Sequence, residues 1–319
     1  MRNRWKDAVL GVAIGDALGC PVQFLSREEI SRKGMVTKMT GHGTYDMPAG
    51  SWTDDTSMTL AALDAMNQSG FDKAAIMEAF CRWYFDGEYT PLGFPYDMGG
   101  TCSRAIEAYE RKKDPETCGQ NEVFSNGNGS LMRIIPAVLF AYSEHGKKDE
   151  AIRMVEACSA LTHAHLRSRM ACGIYAFIVM NVLERGGRSL SECLTTGLSE
   201  AAEYYAKRPD AAGEMSHYQR IFQEDFKETE KSLIKSSGYV VDSLEAAVWR
   251  LFRTRTLEEC LIEAVNLGED TDTVAAIAGG IAGLYYGADA IPASWMEALQ
   301  NPECILRICE EADRQRPIS

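Results

Sequence analysis

Apolar residues recur three and four positions apart along almost the whole chain, the spacing of an α-helix with one buried face. In 4–18 they fall at Trp5, Val9, Val12 and Ala13. The same period predicts helices over 54–68, 72–86, 98–112, 130–144, 148–161, 167–185, 190–206, 217–234 and 242–253. It continues over 257–267, 272–286, 294–300 and 302–315. Ser26 with Glu29 and Thr256 with Glu259 have the spacing of a capping box, which marks a helix start. Stops fall at or near Gly70, Gly87, Gly146, Gly186 and Gly287. Val36–Thr40 is the only β-like run, and no βαβ alternation occurs. The loops 34–53, 87–97, 113–129 and 207–216 are moderate, and no repeat or linker divides the chain. The pattern predicts one compact, orthogonal all-α domain spanning 1–319. Loops of this length in a compact domain tend to carry function.

Composition narrows the function classes. With 33 Lys and Arg against 46 Asp and Glu, the net charge is −13. That balance argues against a nucleic-acid or anionic-membrane partner, because both recruit a basic face. An anionic small molecule can still bind where a cation or backbone N–H groups meet it. The ten cysteines are scattered and form no Cys-x-x-Cys pair. They read as reduced, buried thiols of a cytoplasmic protein. A basic start and the apolar stretch Ala8–Gly15 outline a weak signal peptide, but Asp7 and Asp16 bracket it. The runs 171–180 and 274–286 fall short of the roughly 20 residues of a membrane span. A soluble, cytoplasmic protein is expected.

Two acidic clusters open helices. Thr53-Asp54-Asp55-Thr56 precedes one, and Asp270-Thr271-Asp272-Thr273 precedes the other. Each alone reads equally as a helix cap, since Asp and Thr satisfy first-turn N–H groups. Both nevertheless lead into helices rich in small residues, such as Ala275 to Gly283. Such faces allow close approach, and their N-termini would then gather four carboxylates. Four carboxylates in one site require protonation or cations. Carboxylate and hydroxyl oxygens are hard ligands that suit Mg²⁺, Mn²⁺ or Ca²⁺ and not zinc.

Other constellations are weaker. Ser125-Asn-Gly-Asn-Gly-Ser130-Leu-Met-Arg133 can form an anion-binding nest of backbone N–H groups, or be a plain turn with Ser130 as cap. In Thr162-His163-Ala164-His165 the two imidazoles do not share a helical face, which disfavours a zinc pair and leaves a structural role open. Asp97 precedes a helix and is either a cap or a site acid. Asp16 sits within an apolar helical stretch, so it needs a hydrogen-bonding partner if buried.

Taken in order, Gly15-Asp-Ala-Leu-Gly19, Gly50-Ser-Trp-Thr-Asp-Asp-Thr56, Gly127-Asn-Gly-Ser-Leu-Met-Arg133, Thr162-His163 and Gly268-Glu-Asp-Thr-Asp-Thr-Val274 resemble the ADP-ribosylglycohydrolase family. The resemblance covers 11–287, close to the whole chain. It implies a compact all-α fold with two divalent cations, Mg²⁺ or Mn²⁺. It assigns the metal ligands to Thr53, Asp54, Asp55, Asp270, Asp272 and Thr273. It gives Gly127, Asn128, Gly129 and Ser130 the diphosphate and adenosine side of ADP-ribose, with His163 beside the phosphates or the reacting ribose. Asp97 matches a loop acid that meets the leaving group in arginine-specific members. The implied reaction is hydrolysis at the ribose anomeric carbon through an oxocarbenium-like state, with Asp54, Asp55 or Asp97 as the working carboxylate. The implied partner is an ADP-ribosylated protein, most simply on arginine, or an ADP-ribose-containing small molecule.

One departure bears on catalysis. Gln23 stands where the family often has Glu. Gln can ligate through its carbonyl oxygen but cannot act as a general base. Another carboxylate then serves as base, or the chain acts on a different linkage, or it binds ADP-ribose with little turnover.

Overall fold

The computed structural model describes residues 2–144 and 147–318. The stop expected at Gly146 lies outside them. Helices α1 (Arg4–Gly19), α2 (Arg27–Lys33), α3 (Asp54–Ser69), α4 (Lys73–Asp86) and α5 (Gly100–Lys112) form the first part. Then come α6 (Ile135–Glu144), α7 (Lys148–Ala160), α8 (Leu166–Leu183), α9 (Leu190–Ala206) and α10 (Val240–Arg253). The last are α11 (Leu257–Val265), α12 (Thr271–Tyr286), α13 (Ala293–Ala298) and α14 (Pro302–Gln315). The fold is all-α, as the periodicity predicts. No strand occurs among the described residues, only isolated bridges Gln120–His163 and Gly127–Tyr239. The backbone of Val36 pairs instead with the Asn266 side-chain amide, at 2.9 Å in both directions.

Packing is organised around α1 and α12. Gly11 faces Gly279 and Gly283, Gly15 faces Ala275, and Gly19 faces the backbone of Thr271 and Asp272, so two stripes of small residues four apart run antiparallel. A Cβ on Gly11 would stand 2.0 Å from the Gly279 carbonyl oxygen, and one on Gly279 would stand 2.1 Å from that of Gly11. The two backbones touch directly, so no larger side chain fits. The small face of α12 therefore packs on α1, and far less on α3. This corrects the expectation that the small faces of α3 and α12 bring their N-termini together.

Local chemistry explains where elements begin and fail. Ser26 and Glu29 form the expected capping box at α2. At Thr256 only half forms, because the Glu259 carboxylate accepts from the Arg255 N–H at 2.7 Å. Helix α6 starts at Ile135, later than the pattern predicts: the Leu131 and Met132 N–H groups both turn back to the Asn128 carbonyl, and Pro136 fits only a first turn. The helix expected over 217–234 is absent; short 3₁₀ turns at Met215–Tyr218, Phe226–Glu228 and Lys231–Leu233 replace it. Its apolar residues Tyr218, Ile221, Phe226 and Ile234 are buried, which supplied the misleading period. Its carbonyls at Lys231 and Ile234 accept from the Arg27 guanidinium, at 2.9 and 3.0 Å, in place of helical N–H groups. Helix α8 has 18 residues and a mean hydropathy of 1.3, but 83% of it is buried inside the fold, as a core helix should be. All ten thiols are free.

Candidate active site

Asp16 is the keystone. It lies inside α1, is 0% exposed, and projects to the N-terminus of α3. Its carboxylate accepts from the Thr53 N–H at 2.9 and 3.0 Å, the Thr56 N–H at 3.0 Å and the Thr56 hydroxyl at 2.6 Å. These donors are first-turn groups that the helix itself leaves unpaired. Burial raises the Asp16 carboxyl to about 7, against the pull of those hydrogen bonds. One turn further on, the C-terminus of α1 meets α12, where the Thr271 hydroxyl donates to the Gly19 carbonyl at 2.8 Å. So α1 sets the positions of both acidic turns.

The two turns meet in an inner layer. Carboxylate oxygens of Asp16, Asp55 and Asp272 lie within 4.8 Å of one another. The Thr53 and Thr273 hydroxyls donate to the same Asp55 oxygen, at 3.1 and 3.4 Å. The other Asp55 oxygen, Oδ1, and Oδ2 of Asp272 are buried without any partner among the described residues. Orphaned buried carboxylate oxygens are costly and call for a cation or a proton. Burial first, and then the neighbouring acids, push Asp55 and Asp272 well above the carboxylate range. This set of hard oxygen donors can hold a metal ion.

An outer layer faces a pocket of about 240 Å³. Asp54, Asp97, Asp270, Thr273 and Gln23 line it together with Gly127, Asn128, Gly129 and His163. Burial and the proximity of Asp97 raise the Asp54 carboxyl well above its ordinary value. Asp54 also accepts from the Gly99 N–H at 3.4 Å. Asp97 has a left-handed backbone, φ +56°, and receives a hydrogen bond from the Tyr45 hydroxyl. Asp270 accepts from Asn128 Nδ2 at 2.6 Å and from Gln23 Nε2 at 3.4 Å, while burial raises its carboxyl. Gln23 Oε1 has no partner among the described residues.

The expected residues thus separate by depth. Asp54 and Asp270 reach the pocket, whereas Asp55 and Asp272 stand behind it. The Thr53 hydroxyl caps α3 and contacts Asp55. The Asn128 side chain is taken up by Asp270 and by Ser243 at 2.8 Å, so it ties the loop to the acids. Ser130 turns inward, where its hydroxyl accepts from Ser159 at 2.8 Å; only its backbone belongs to the loop. His163 is 1% exposed, and its ring edge lies against Gly127 and Gly129. A Cβ on Gly129 would come within 3.0 Å of the His163 ring. Burial and the Arg133 charge lower the His163 imidazole to about 3, so it is neutral at physiological pH. His165 caps α8 with its ring nitrogen and does not join the pocket.

Sequence reasoning left Asp16 either hydrogen-bonded near a site or not buried, and it missed Tyr45 and the Gly99 N–H. The signal for Asp16 was an acid in an apolar helical face. Tyr45 and Gly99 sit in irregular loops, where periodicity says nothing.

Fold and site together define an all-α hydrolase with a layered acidic centre beside a Gly/Asn loop. The family model for ADP-ribosylglycohydrolase matches residues 1–317, and the chain belongs to that family. It is 32% identical over 324 residues to an ADP-ribosylarginine hydrolase Tri1 of Pseudomonas putida (strain GB-1), covering 99% of this chain and 79% of that protein. It is 33% identical over 302 residues to the ADP-ribosyl-(dinitrogen reductase) glycohydrolase of Rhodospirillum rubrum, covering 94% and 91%. A solved structure described as an ADP-ribosylglycohydrolase-related protein complex superposes with a TM-score of 0.79 at 31% identity, over 98% of both chains.

Proposed function

We propose that the chain hydrolyses the glycosidic bond between ADP-ribose and a modified arginine side chain, in a reaction that requires two divalent cations, Mg²⁺ or Mn²⁺. The observation that carries this reading is one pocket lined both by Asp54, Asp97 and Asp270 and by the Gly127–Gly129 loop and His163. Asp55, Asp272 and Thr273 would hold the cations from within, with Asp54, Asp270 and Thr53 completing the set. The bound cations would supply a polarised water and grip ribose hydroxyls. Asp54 faces the pocket, where its carboxylate would orient the attacking water and take its proton. Asp97, held by Tyr45, would meet the guanidinium of the leaving group. The loop N–H groups and His163 would position the diphosphate.

The relatives named for arginine-linked ADP-ribose support the choice of linkage. A single domain over 1–319 and a cytoplasmic location belong to the same proposal; ten free thiols suit a reducing compartment. A second reading, an ADP-ribose-binding module with little turnover, is favoured by one feature: Gln23 brings an amide, not a base, to Asp270.

The test is release of free ADP-ribose from arginine-, serine- and O-acetyl-linked substrates, with Mg²⁺, with Mn²⁺ and with chelator. Metal-dependent release from the arginine substrate is expected. No release from any substrate, with ADP-ribose binding intact by calorimetry, would replace it with the second reading.

A further inference from the structure

We infer that Arg133, acting through Thr162, fixes the tautomer of His163 so that its Nε2 carries a proton and offers it to the pocket. Arg133 is a positioning residue in this arrangement. It is 0% exposed, and among the described residues no carboxylate pairs with it. Its neighbours are the Phe80 ring at 4.5 Å, the Cys158 thiol at 3.9 Å and the Thr162 hydroxyl oxygen at 2.7 Å. A buried guanidinium without a counter-ion is costly and needs a reason.

The geometry supplies one. Arg133 has only donors, so Thr162 Oγ1 must accept from it. The Thr162 hydroxyl proton then has two acceptors in reach, His163 Nδ1 at 2.8 Å and the weakly accepting Cys102 thiol. Thr162 is fully buried, so the opposite arrangement, with Nδ1 donating, would leave that hydroxyl proton only the thiol, a poor acceptor. Nδ1 is therefore the acceptor, and the ring proton sits on Nε2. Nε2 has no protein partner among the described residues, and it lies 3.8 Å from where a Gly127 Cβ would be. The Arg133 charge also opposes a second proton on the ring, in keeping with its lowered value of about 3. The result is a neutral, uniquely oriented N–H donor beside the loop. Its ligand would be an oxygen acceptor, a phosphate or ribose oxygen; this part rests on the ADP-ribose reading above.

The test uses the full chain with Mg²⁺ present, labelled with isotopic nitrogen at histidine. NMR reads the tautomer directly, with the His163 signals assigned by their loss in His163→Gln. The wild type should show the Nε2–H form at neutral pH. Thr162→Val keeps the shape and removes the hydroxyl; it should mix the two tautomers and weaken ADP-ribose binding by about tenfold in calorimetry. Thr162→Ser keeps the hydroxyl and should restore both readouts, which a mere packing role would not do. An Nδ1–H or charged His163 in the wild type overturns the inference, as does an unchanged tautomer in Thr162→Val. Wild-type protein that does not bind ADP-ribose at all would overturn the substrate reading, while the NMR still decides the tautomer.

Discussion

The carboxylate of Asp16 accepts from both the backbone N–H and the hydroxyl of Thr56, at 3.0 and 2.6 Å. A side chain from the interior of α1 thereby caps α3, and it holds Asp55 at the depth where it meets Asp272.

Asp16→Asn tests this role. An amide keeps one acceptor oxygen for the two Thr56 donors but turns its NH₂ group toward the Thr53 N–H, which the second carboxylate oxygen accepts at 2.9 Å. The loss should be about 2–3 kcal/mol of stability, the cost of a buried unpaired polar group, together with most of the activity. Urea denaturation and ADP-ribose release measure both. A variant as stable and active as the wild type would contradict the keystone role.

Metal should stabilise the fold, and more so at higher pH. Asp55 and Asp272 titrate well above their unfolded values. The metal-free fold is therefore most stable where they are protonated, and it loses stability as pH rises from about 4 toward their folded values. A bound cation removes that penalty. At about 100 times its dissociation constant it adds about 2.7 kcal/mol, roughly 5 °C in Tm for a chain of this size. Thermal melts with Mg²⁺ and with chelator, at pH 5 and pH 8, are the measurement. Equal melting at both would reduce the clusters to helix caps.

His163 makes the opposite contribution. Its folded value, about 3, lies below its ordinary 6.5. Between these limits the unfolded chain binds the extra proton, so stability falls as pH drops, at up to about 1.4 kcal/mol per pH unit. His163→Gln should have a shallower decline between pH 6.5 and pH 4 than the wild type. Parallel curves from denaturant melts would mean that the imidazole is charged in the fold.

Gly279→Ala should break the α1–α12 contact. Its Cβ would stand 2.1 Å from the Gly11 carbonyl oxygen, so backbone must move. A loss of about 1–3 kcal/mol is expected from overpacking, and the acidic centre should loosen with it. Gly213→Ala, where a Cβ meets nothing within 4 Å, is the control and should melt like the wild type.

Gln23→Glu places a second carboxylate 3.4 Å from Asp270. With chelator the variant should melt below the wild type, because like charges repel. With metal the order should reverse or close, since the added oxygen is an anionic ligand. Calorimetric titration with Mn²⁺ should show tighter binding; weaker binding would mean that this side chain does not reach the cations.

Secondary structure and chemistry were legible in the sequence because both are local. The 3.6-residue period of Trp5, Val9 and Val12 marks a helix wherever it packs, and an Asp-Asp-Thr turn caps a helix on its own. The segment 217–234 escaped that logic. Its apolar residues have a helical spacing, but its carbonyls at Lys231 and Ile234 are claimed by Arg27, a residue remote in sequence. The acidic turns were visible as candidates, yet their meeting was not. It depends on a backbone contact between Gly11 and Gly279, and on a carboxylate from α1 that reaches α3. The division of the acids into Asp55 and Asp272 behind, and Asp54 and Asp270 in front, likewise follows from helix placement. Sequence fixes which atoms can donate, accept or ionise; only the packed fold decides their distances and burial. Interaction between charges and hydrogen-bonding groups depends steeply on both.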